Sequence, residues 1–346
     1  MVRSQIIEYL EGFKLAVNAP VREGVEVLSI TSRTERGFYV ATSMGAFTAN
    51  QIVIASGGYD IPIIPRMAER LPTDIVQLHS AQYRNADALP AGGVLVVGSG
   101  QSGAQLAEDL HLSGRKVFLA VGEPPRCARF YRGRDVVDWL ADMNYYDMSV
   151  DKHPLREGVR DNTNHYVTGR GGGRDIDLRQ FALEGMELFG RLEDMQDGAL
   201  KFAPNLRRNL DSADKTYNGI NAAIDKHIQS HGISAEPASV YQAVWQPARA
   251  RIDLRRVQSR HYVGALVYRI PNRFQLHRRP SIRWPRLSRP SARRDPRAGV
   301  IFSWSAVAYT WGSGRFSGIA RDAGYLVERI KDRATGRKGM AVPAVA

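Results

Sequence analysis

The stretch that decides the fold is Val94-Leu95-Val96-Val97-Gly98-Ser99-Gly100-Gln101-Ser102-Gly103. Its four apolar residues predict a buried strand, and apolar periodicity predicts a helix from Ala104 that ends at Gly114. Residues 116–121 predict a second strand. Strand, glycine turn, helix and strand follow one another within about thirty residues, which is typical of a βαβ unit. The pattern therefore predicts an α/β fold with a parallel sheet.

The glycine turn has the spacing of a dinucleotide-binding motif. Gly98 is suited to the tight turn, Gly100 to close approach of the backbone to a pyrophosphate, and Gly103 to close packing of the helix on the strand. The phosphate would lie at the helix N-terminus, where free N–H groups and the helix dipole favour negative charge. A plain tight turn is the alternative, but the flanking strands and helix favour a dinucleotide site that includes Ser99, Gln101 and Ser102.

The end of the second strand bears on the choice of coenzyme. A site that prefers NAD usually places Asp or Glu there, to accept hydrogen bonds from the ribose. This chain has Ala120-Val121-Gly122, with Glu123 just beyond and Arg126, Arg129 and Arg132 after it. The loss of the acid from the end of the strand and the nearby guanidinium groups favour a 2′-phosphate and hence NADP. Ordinary solvated arginines are the alternative.

Composition limits the class of protein. The 346 residues are 43% hydrophobic, enough for one large or two medium domains. The single cysteine, Cys127, excludes an intramolecular disulfide and a Cys-x-x-Cys centre, so disulfide reductase chemistry is not expected. We find no apolar run of membrane-spanning length, no signal peptide and no metal-ligand cluster. These observations predict a cytoplasmic protein without a membrane segment or a metal site.

The positive charge is concentrated in one segment. The formal net charge is +13, yet residues 249–297 contain 15 arginines, no lysine and only two acids, Asp253 and Asp295. This segment accounts for the whole excess, so the basic character does not describe the rest of the chain. An arginine-rich arm that binds nucleic acid is one interpretation. It is the weakest alternative, because no aromatic or helical pattern organises these arginines.

Several ordered motifs resemble flavoprotein monooxygenases. Ile54-Ala55-Ser56-Gly57, followed by Pro62 and Pro65, resembles the linker between the two dinucleotide domains of that family. His79-Ser80 and then Tyr83-Arg84, followed by the glycine turn, resemble the run into the NADPH domain of flavin-containing monooxygenases. The chain up to about residue 252 resembles the bacterial branch of these FAD- and NAD(P)-dependent oxidoreductases.

A second glycine-rich stretch, Tyr309-Thr310-Trp311-Gly312-Ser313-Gly314-Arg315-Phe316-Ser317-Gly318, resembles the last FAD-contacting turn of the family. The resemblance implies FAD and NADPH as cofactors and molecular oxygen as co-substrate. NADPH would reduce the flavin, and one oxygen atom would pass to a small organic substrate. It also implies FAD contacts at Ala55, Ser56, Gly57, Gly312 and Gly314. No protein group is singled out as catalytic, because in such enzymes the cofactor carries the chemistry.

The resemblance also predicts the domain organisation. We expect a flavoprotein with two dinucleotide-binding domains, in which an NADPH-binding Rossmann domain at 79–235 is inserted in an incomplete FAD-binding domain at 1–78 and 236–346. Nothing before Val25 fits the strand, glycine turn and helix that hold the FAD pyrophosphate in this family. A non-catalytic fragment that binds NADP is therefore the main alternative to an active enzyme.

Residues 254–307 lack a periodic pattern and do not read as part of a folded enzyme. Codons for Gly299–Ala308 can be chosen so that a one-base shift encodes Gly-Leu-Tyr-Phe-Leu-Gly-Leu-Pro-Trp-Leu, which resembles the strand and loop that the family places before its last FAD turn. We therefore hypothesise two compensating frameshifts in this segment. The coding DNA tests this hypothesis, which fails if no such alternative frame exists.

Overall fold

The computed structural model describes residues 3–33, 37–55, 62, 64–71, 73, 75–149, 152–154, 156, 165–196, 199–248, 265–268, 300–302, 312–313 and 316–334. The chain forms two compact units. The central unit comprises residues 59–145 and 161–273, and the terminal unit comprises residues 1–58, 146–160 and 274–346. The chain thus leaves the terminal unit and returns to it. These limits differ from the predicted boundaries after residues 78 and 235.

The central unit is built on a five-stranded parallel sheet with the strand order β10-β7-β6-β13-β5. Its strands are β5 (Val76–His79), β6 (Val94–Val97), β7 (Val117–Ala120), β10 (Glu187–Phe189) and β13 (Ala265–Tyr268). The last residues of all five strands pair in one row across the sheet. The carboxyl ends therefore meet at a single edge, where open α/β sheets bind their ligands.

Helices and two short hairpins complete the central unit. They are α2 (Gln101–Leu112), β8 (Phe130–Tyr131), β9 (Arg134–Asp135), α3 (Val136–Asp142), α4 (Leu178–Leu183), β11 (Leu192–Gln196), β12 (Ala199–Phe202) and α5 (Leu206–His231). Strands β6 and β7 are apolar on both faces because both faces are covered. Val96 lies in one core with Leu110 and Leu210, whereas Leu95 lies in the other with Phe202.

The terminal unit is assembled from both ends of the chain. It contains α1 (Arg3–Ala16), β1 (Val27–Ser32), β2 (Phe38–Thr42), β3 (Gly45–Ala49), β4 (Ile52–Ile54), β14 (Val300–Phe302) and α6 (Phe316–Ala334). Strands β1, β2 and β3 form an antiparallel sheet, and β4 pairs in parallel with β14. The Gln51 side-chain amide donates a hydrogen bond of 3.2 Å to the carbonyl oxygen of Ile330 in α6.

The structure differs from the sequence prediction at several strands, among them β10, β13 and β14. Residues 184–192 were expected to continue a helix, but Gly185 has φ +102 and ends it, and β10 follows. Strands β13 and β14 lie inside 254–307, where no regular element was predicted. Strand β13 pairs in parallel with β5 on one side and with β6 on the other. Most of residues 254–307, the segment to which the frameshift hypothesis applies, lie outside the described residues.

A buried guanidinium group joins three parts of the central unit. Arg179 of α4 is 1% exposed. Its Nε donates to Asp214 at 2.8 Å and an Nη donates to Asp211 at 2.6 Å, both carboxylates lying on α5. The other Nη donates to the Trp245 carbonyl oxygen at 2.7 Å. A charge buried in this way must keep its partners, so the contacts hold α4, α5 and the segment 233–248 together.

Replacing Arg179 by alanine should lower the free energy of unfolding by about 3–5 kcal/mol, because the Asp214 carboxylate would lose a partner in a buried place. The matched control is Arg207→Ala, which removes a largely exposed partner of the same Asp211 at 4.0 Å. That change should cost less than about 1 kcal/mol. Urea unfolding followed by circular dichroism measures both values, and equal losses would contradict the role given to Arg179.

Candidate functional site

The glycine turn lies at the carboxyl end of β6 with the backbone that its sequence predicts. Gly98 has φ +100, and Gly100 is the extended residue immediately before α2. A Cβ atom on Gly103 would lie 1.9 Å from the Gly98 carbonyl oxygen. Only a residue without a side chain fits at Gly103 in this geometry, and glycine is favoured at Gly98 by its positive φ. The structure thus brings the predicted residues Gly98–Gly103 together in one turn.

This turn is suited to an anion. The first turn of a helix leaves its N–H groups without intrahelical partners, and here these groups belong to Gln101, Ser102 and Gly103. Ser102 is exposed and Gln101 is half-buried, so solvent reaches the turn. The free N–H groups and the helix dipole together favour a phosphate. A pyrophosphate is therefore the group that the turn can hold.

Two buried side chains hold the end of β7 beside the glycine turn. Ser99 Oγ accepts a hydrogen bond of 3.0 Å from the Gly122 N–H. Asn209 of α5 donates from Nδ2 to the Val121 carbonyl oxygen at 2.9 Å. The sequence predicted that Ser99 belongs to the site, but it did not single out Asn209. Asn209 could have been recognised as a polar residue next to Leu210 on the buried face of an amphipathic helix.

The strand order makes this edge of the sheet a crevice. From β6 the chain passes to β7 and then to β10 on one side, whereas β13 lies on the other side of β6. In open α/β sheets a ligand binds outside the carboxyl ends of the strands at the place where the strand order reverses. The turn Gly98–Gly103 lies at that place, so an extended dinucleotide could bind across it.

Arg126, predicted to contact a 2′-phosphate, is instead internal. It is 2% exposed and forms ion pairs with Asp177 at 2.9 Å and Asp214 at 2.6 Å. Its guanidinium carbon lies 4.7 Å from the ring centre of Tyr217 and 3.9 Å from that of Tyr241. This guanidinium group is therefore surrounded by two carboxylates and two aromatic rings. These contacts give Arg126 a structural role, and its contact with a 2′-phosphate stays a prediction from the sequence.

Arg129 and Arg132 are paired as well. Arg129 binds Asp135 through two contacts of 2.7 and 2.6 Å, and Arg132 lies 2.9 Å from Asp225. The geometry thus explains these guanidinium groups as partners of acids in the same unit. The sequence could not show this, because Asp225 is far from Arg132 along the chain.

A second close contact between glycines lies in the terminal unit. A Cβ atom on Gly318 would lie 2.0 Å from the Gly312 carbonyl oxygen, and α6 begins at Phe316. The Gly312 N–H donates to the Tyr146 carbonyl oxygen at 2.9 Å. Gly312 is thus held beside the start of a helix, as Gly98 is in the central unit. The predicted flavin contact at Gly314 lies outside the described residues.

A buried carboxyl group accompanies this second turn. Asp322 of α6 is 4% exposed, and burial raises its pKa, whereas a hydrogen bond from Ser313 opposes that rise. Its Oδ1 atom has no hydrogen-bond partner among the described residues. Of the predicted linker contacts, Ala55 is exposed after β4, and Ser56 and Gly57 lie outside the described residues.

His79 lies at the carboxyl end of β5 and is 1% exposed. Its Nδ1 atom accepts a hydrogen bond of 3.2 Å from the Ala81 N–H, which stabilises the turn after β5. Burial lowers its pKa, since the charged imidazolium is poorly solvated there. Glu108 of α2 pairs with Arg174 at 2.8 Å. These contacts give both residues structural roles.

The low pKa of His79 predicts a dependence of stability on pH. The folded pKa is below the ordinary value of 6.5, so the unfolded chain takes up a proton first as the pH falls. The stabilising contribution is complete above pH 6.5 and is lost as the pH falls toward the folded pKa. We expect wild-type protein to lose more unfolding free energy between pH 7.5 and 5.5 than His79→Asn, which keeps a side-chain acceptor.

The control for this comparison is His231→Asn, because His231 is exposed. Its pH dependence should match that of wild-type protein, and urea unfolding at both pH values provides the measurement. If His79→Asn loses as much stability as wild-type protein, then the burial of His79 does not govern the acid sensitivity.

Two kinds of feature are absent from the part of the chain that the structure describes. We find no cluster of three or more His, Cys, Asp or Glu side chains that could hold a metal ion. We also find no helix whose length and apolar character would let it cross a membrane.

Known proteins share both sequence and fold with this chain. The pyridine nucleotide-disulphide oxidoreductase family model matches residues 1–141. An uncharacterized CzcO-like oxidoreductase of Geobacillus kaustophilus is 38% identical over 153 residues, which are 43% of this chain and 42% of that protein. The flavin-containing monooxygenase iboF of Amanita muscaria is 33% identical over 119 residues, or 32% of this chain and 21% of that protein. The chain thus matches less than half the length of these relatives.

The fold likeness extends further than the sequence likeness. A variant of the flavin monooxygenase from Stenotrophomonas maltophilia has a TM-score of 0.55 and 14% identity, and the match covers 96% of this chain and 78% of that one. At this identity the likeness concerns the fold alone. The chain is thus similar in part of its sequence to CzcO-like oxidoreductases and to a flavin-containing monooxygenase, and its fold is similar to that of a flavin monooxygenase.

Proposed function

We propose that the chain serves a flavin-dependent oxidoreductase in which a reduced nicotinamide dinucleotide binds at Gly98–Gly103 and reduces FAD. When bound, FAD would supply the chemistry for transfer of one oxygen atom from O₂ to a small organic substrate, with the second oxygen atom leaving as water. The observation that carries the proposal is the contact of Gly103 with the Gly98 carbonyl oxygen, at the switch point of a parallel sheet.

The central unit supplies what a nicotinamide dinucleotide needs. The pyrophosphate would lie at the N-terminus of α2, on the backbone of Gly100 and Gln101, since no side chain of Gly100 intervenes. The adenosine end would lie toward β7, whose end Ser99 and Asn209 hold in place. The pyrophosphate turn does not distinguish NADPH, the coenzyme expected from the sequence, from NADH, because the two differ only at the 2′ position of the adenosine ribose.

The terminal unit has features that fit a flavin. The turn at Gly312 leads toward the N-terminus of α6, and the unpaired Oδ1 of Asp322 is a polar atom that a bound group could satisfy. The linker residues Ala55, Ser56 and Gly57 and the turn residue Gly314 remain candidate FAD contacts. When bound, FAD supplies the exchange of electrons between the nicotinamide and oxygen, while the protein orients the reactants and excludes water.

Experiments can distinguish this proposal from two alternatives. A chain that binds a dinucleotide without turnover would keep the central site and lack the flavin. Nucleic-acid binding would depend on residues 249–297, which lie outside the described residues except for β13. The geometry of the glycine turn favours the dinucleotide, and a cytoplasmic location agrees with a nicotinamide coenzyme.

The first test is the visible spectrum of the purified protein after incubation with FAD and desalting. A retained flavin spectrum that bleaches anaerobically with NADH or NADPH is the expected result. A colourless protein that still binds a nicotinamide coenzyme would contradict the oxidoreductase proposal and support the non-catalytic alternative. Salt-sensitive retention on DNA without coenzyme binding would support nucleic-acid binding instead.

Replacing Gly103 by alanine should weaken coenzyme binding at least about tenfold, because moving the helix N-terminus away from β6 removes charge-assisted hydrogen bonds to the pyrophosphate. Isothermal titration with NADH and NADPH measures the dissociation constants, and circular dichroism checks the fold. The control is Gly219→Ala in α5, where a Cβ atom has open space. Unchanged binding in Gly103→Ala would contradict the placement of the pyrophosphate.

A further inference from the structure

The charge at the adenosine end of the proposed site decides between the two nicotinamide coenzymes. NADPH carries a 2′-phosphate on the adenosine ribose, and NADH carries a hydroxyl group there. A dianionic phosphate needs a cation close by, whereas ribose hydroxyls are well bound by a carboxylate that accepts their hydrogen bonds. The side chains around the end of β7 therefore determine the preference.

Glu123 is the ionisable residue that the backbone brings to the glycine turn. The ladder between β7 and β10 ends where the Val121 N–H donates to the Phe189 carbonyl oxygen at 2.9 Å. The next residue, Gly122, donates its N–H to Ser99 Oγ at 3.0 Å. Residue 122 is thus in direct contact with the turn, and Glu123 follows it.

Glu123 is also available to a ligand. Its side chain is exposed, and it has no ion pair or hydrogen bond with any described residue. Pro124 and Pro125 follow it and restrict the backbone, so the residue does not belong to a freely moving loop. Glu123 follows Gly103 by about twenty residues, which is the usual separation between the glycine turn and the ribose-binding acid in dinucleotide sites.

The basic residues just beyond Glu123 are occupied. The Arg126 side chain is 3% exposed and shared by two carboxylates, and Arg129 and Arg132 are each paired with an aspartate. A 2′-phosphate would have to compete with those aspartates for the guanidinium groups. Because these three guanidinium groups are paired, a 2′-phosphate beside Glu123 would meet the exposed carboxylate and be repelled by it.

Two exposed arginines belong to elements that neighbour the end of β7. Arg191 follows β10, which is one strand beyond β7, and neighbouring strands are about 4.8 Å apart. Arg208 lies in the first turn of α5, next to Asn209. Glu123 has the shorter connection to the turn, since it directly follows the residue that contacts Ser99. Both arginines are nevertheless the groups to test as rivals.

We infer that Glu123 accepts hydrogen bonds from the adenosine ribose hydroxyls and makes this site prefer NADH to NADPH. The inference depends on the proposed dinucleotide site and replaces the preference for NADP that the arginine sequence suggested. It makes Glu123 the residue that determines coenzyme specificity. With NADPH, the ribose hydrogen bonds to Glu123 would be lost and the 2′-phosphate would be repelled. Both effects favour the binding of NADH.

Isothermal titration of the full chain with NADH and with NADPH tests this inference. Wild-type protein should bind NADH at least about tenfold more tightly, which is the size expected for hydrogen bonds to a charged group. Glu123→Gln should reduce the ratio, and Glu123→Arg should reverse it. The control is Glu187→Gln, at the amino end of β10 and therefore at the opposite edge of the sheet, which should leave the ratio unchanged.

Tighter binding of NADPH by wild-type protein would overturn the inference and leave the proposed function standing. Loss of that NADPH binding in Arg191→Ala or Arg208→Ala would then identify the true phosphate ligand. A ratio that is unchanged in Glu123→Arg would also overturn the inference. Failure to bind either coenzyme would overturn both the inference and the proposed dinucleotide site.

Discussion

The close approach of Gly103 to the Gly98 carbonyl oxygen is the contact on which the candidate site depends. A Cβ atom there would come within 1.9 Å of that oxygen, so a larger residue would push α2 away from β6. The contact places the N-terminus of α2 directly at the carboxyl end of a strand. Because β6 also lies where the strand order reverses, the same contact places the free N–H groups in the crevice of the sheet. The terminal unit repeats the arrangement with Gly312 and Gly318.

The buried arginines form a second constraint, and they change the electrostatics of the site. Arg126 and Arg179 share the carboxylate of Asp214, through contacts of 2.6 and 2.8 Å. This pairing holds α4, α5 and the segment after α5 against the sheet. It also removes from the surface a guanidinium group that the sequence placed near the coenzyme. The exposed carboxylate of Glu123 then follows the residue that contacts the glycine turn, and this is the basis for the inferred preference for NADH.

Local features of the sequence were sufficient to predict much of the fold. The strands β6 and β7, the helix α2 between them and the antiparallel strands β1, β2 and β3 follow from apolar periodicity and from turn residues. The strands β10 and β13 were missed. Each is three or four residues long, and its pairing partners lie far away along the chain. A short apolar run does not reveal whether a sheet has a vacant place for it.

The sequence by itself determined the glycine turn, since its requirements concern backbone conformation and the room for a side chain within six consecutive residues. It also determined the α/β class and the resemblance to flavin monooxygenases. Only the tertiary structure decided which charges face the site. Ion pairs such as Arg126 with Asp214 join residues that are distant in sequence, and burial makes them obligatory. An arginine near a binding motif therefore becomes a ligand or a structural counter-ion according to the acids that folding brings to it.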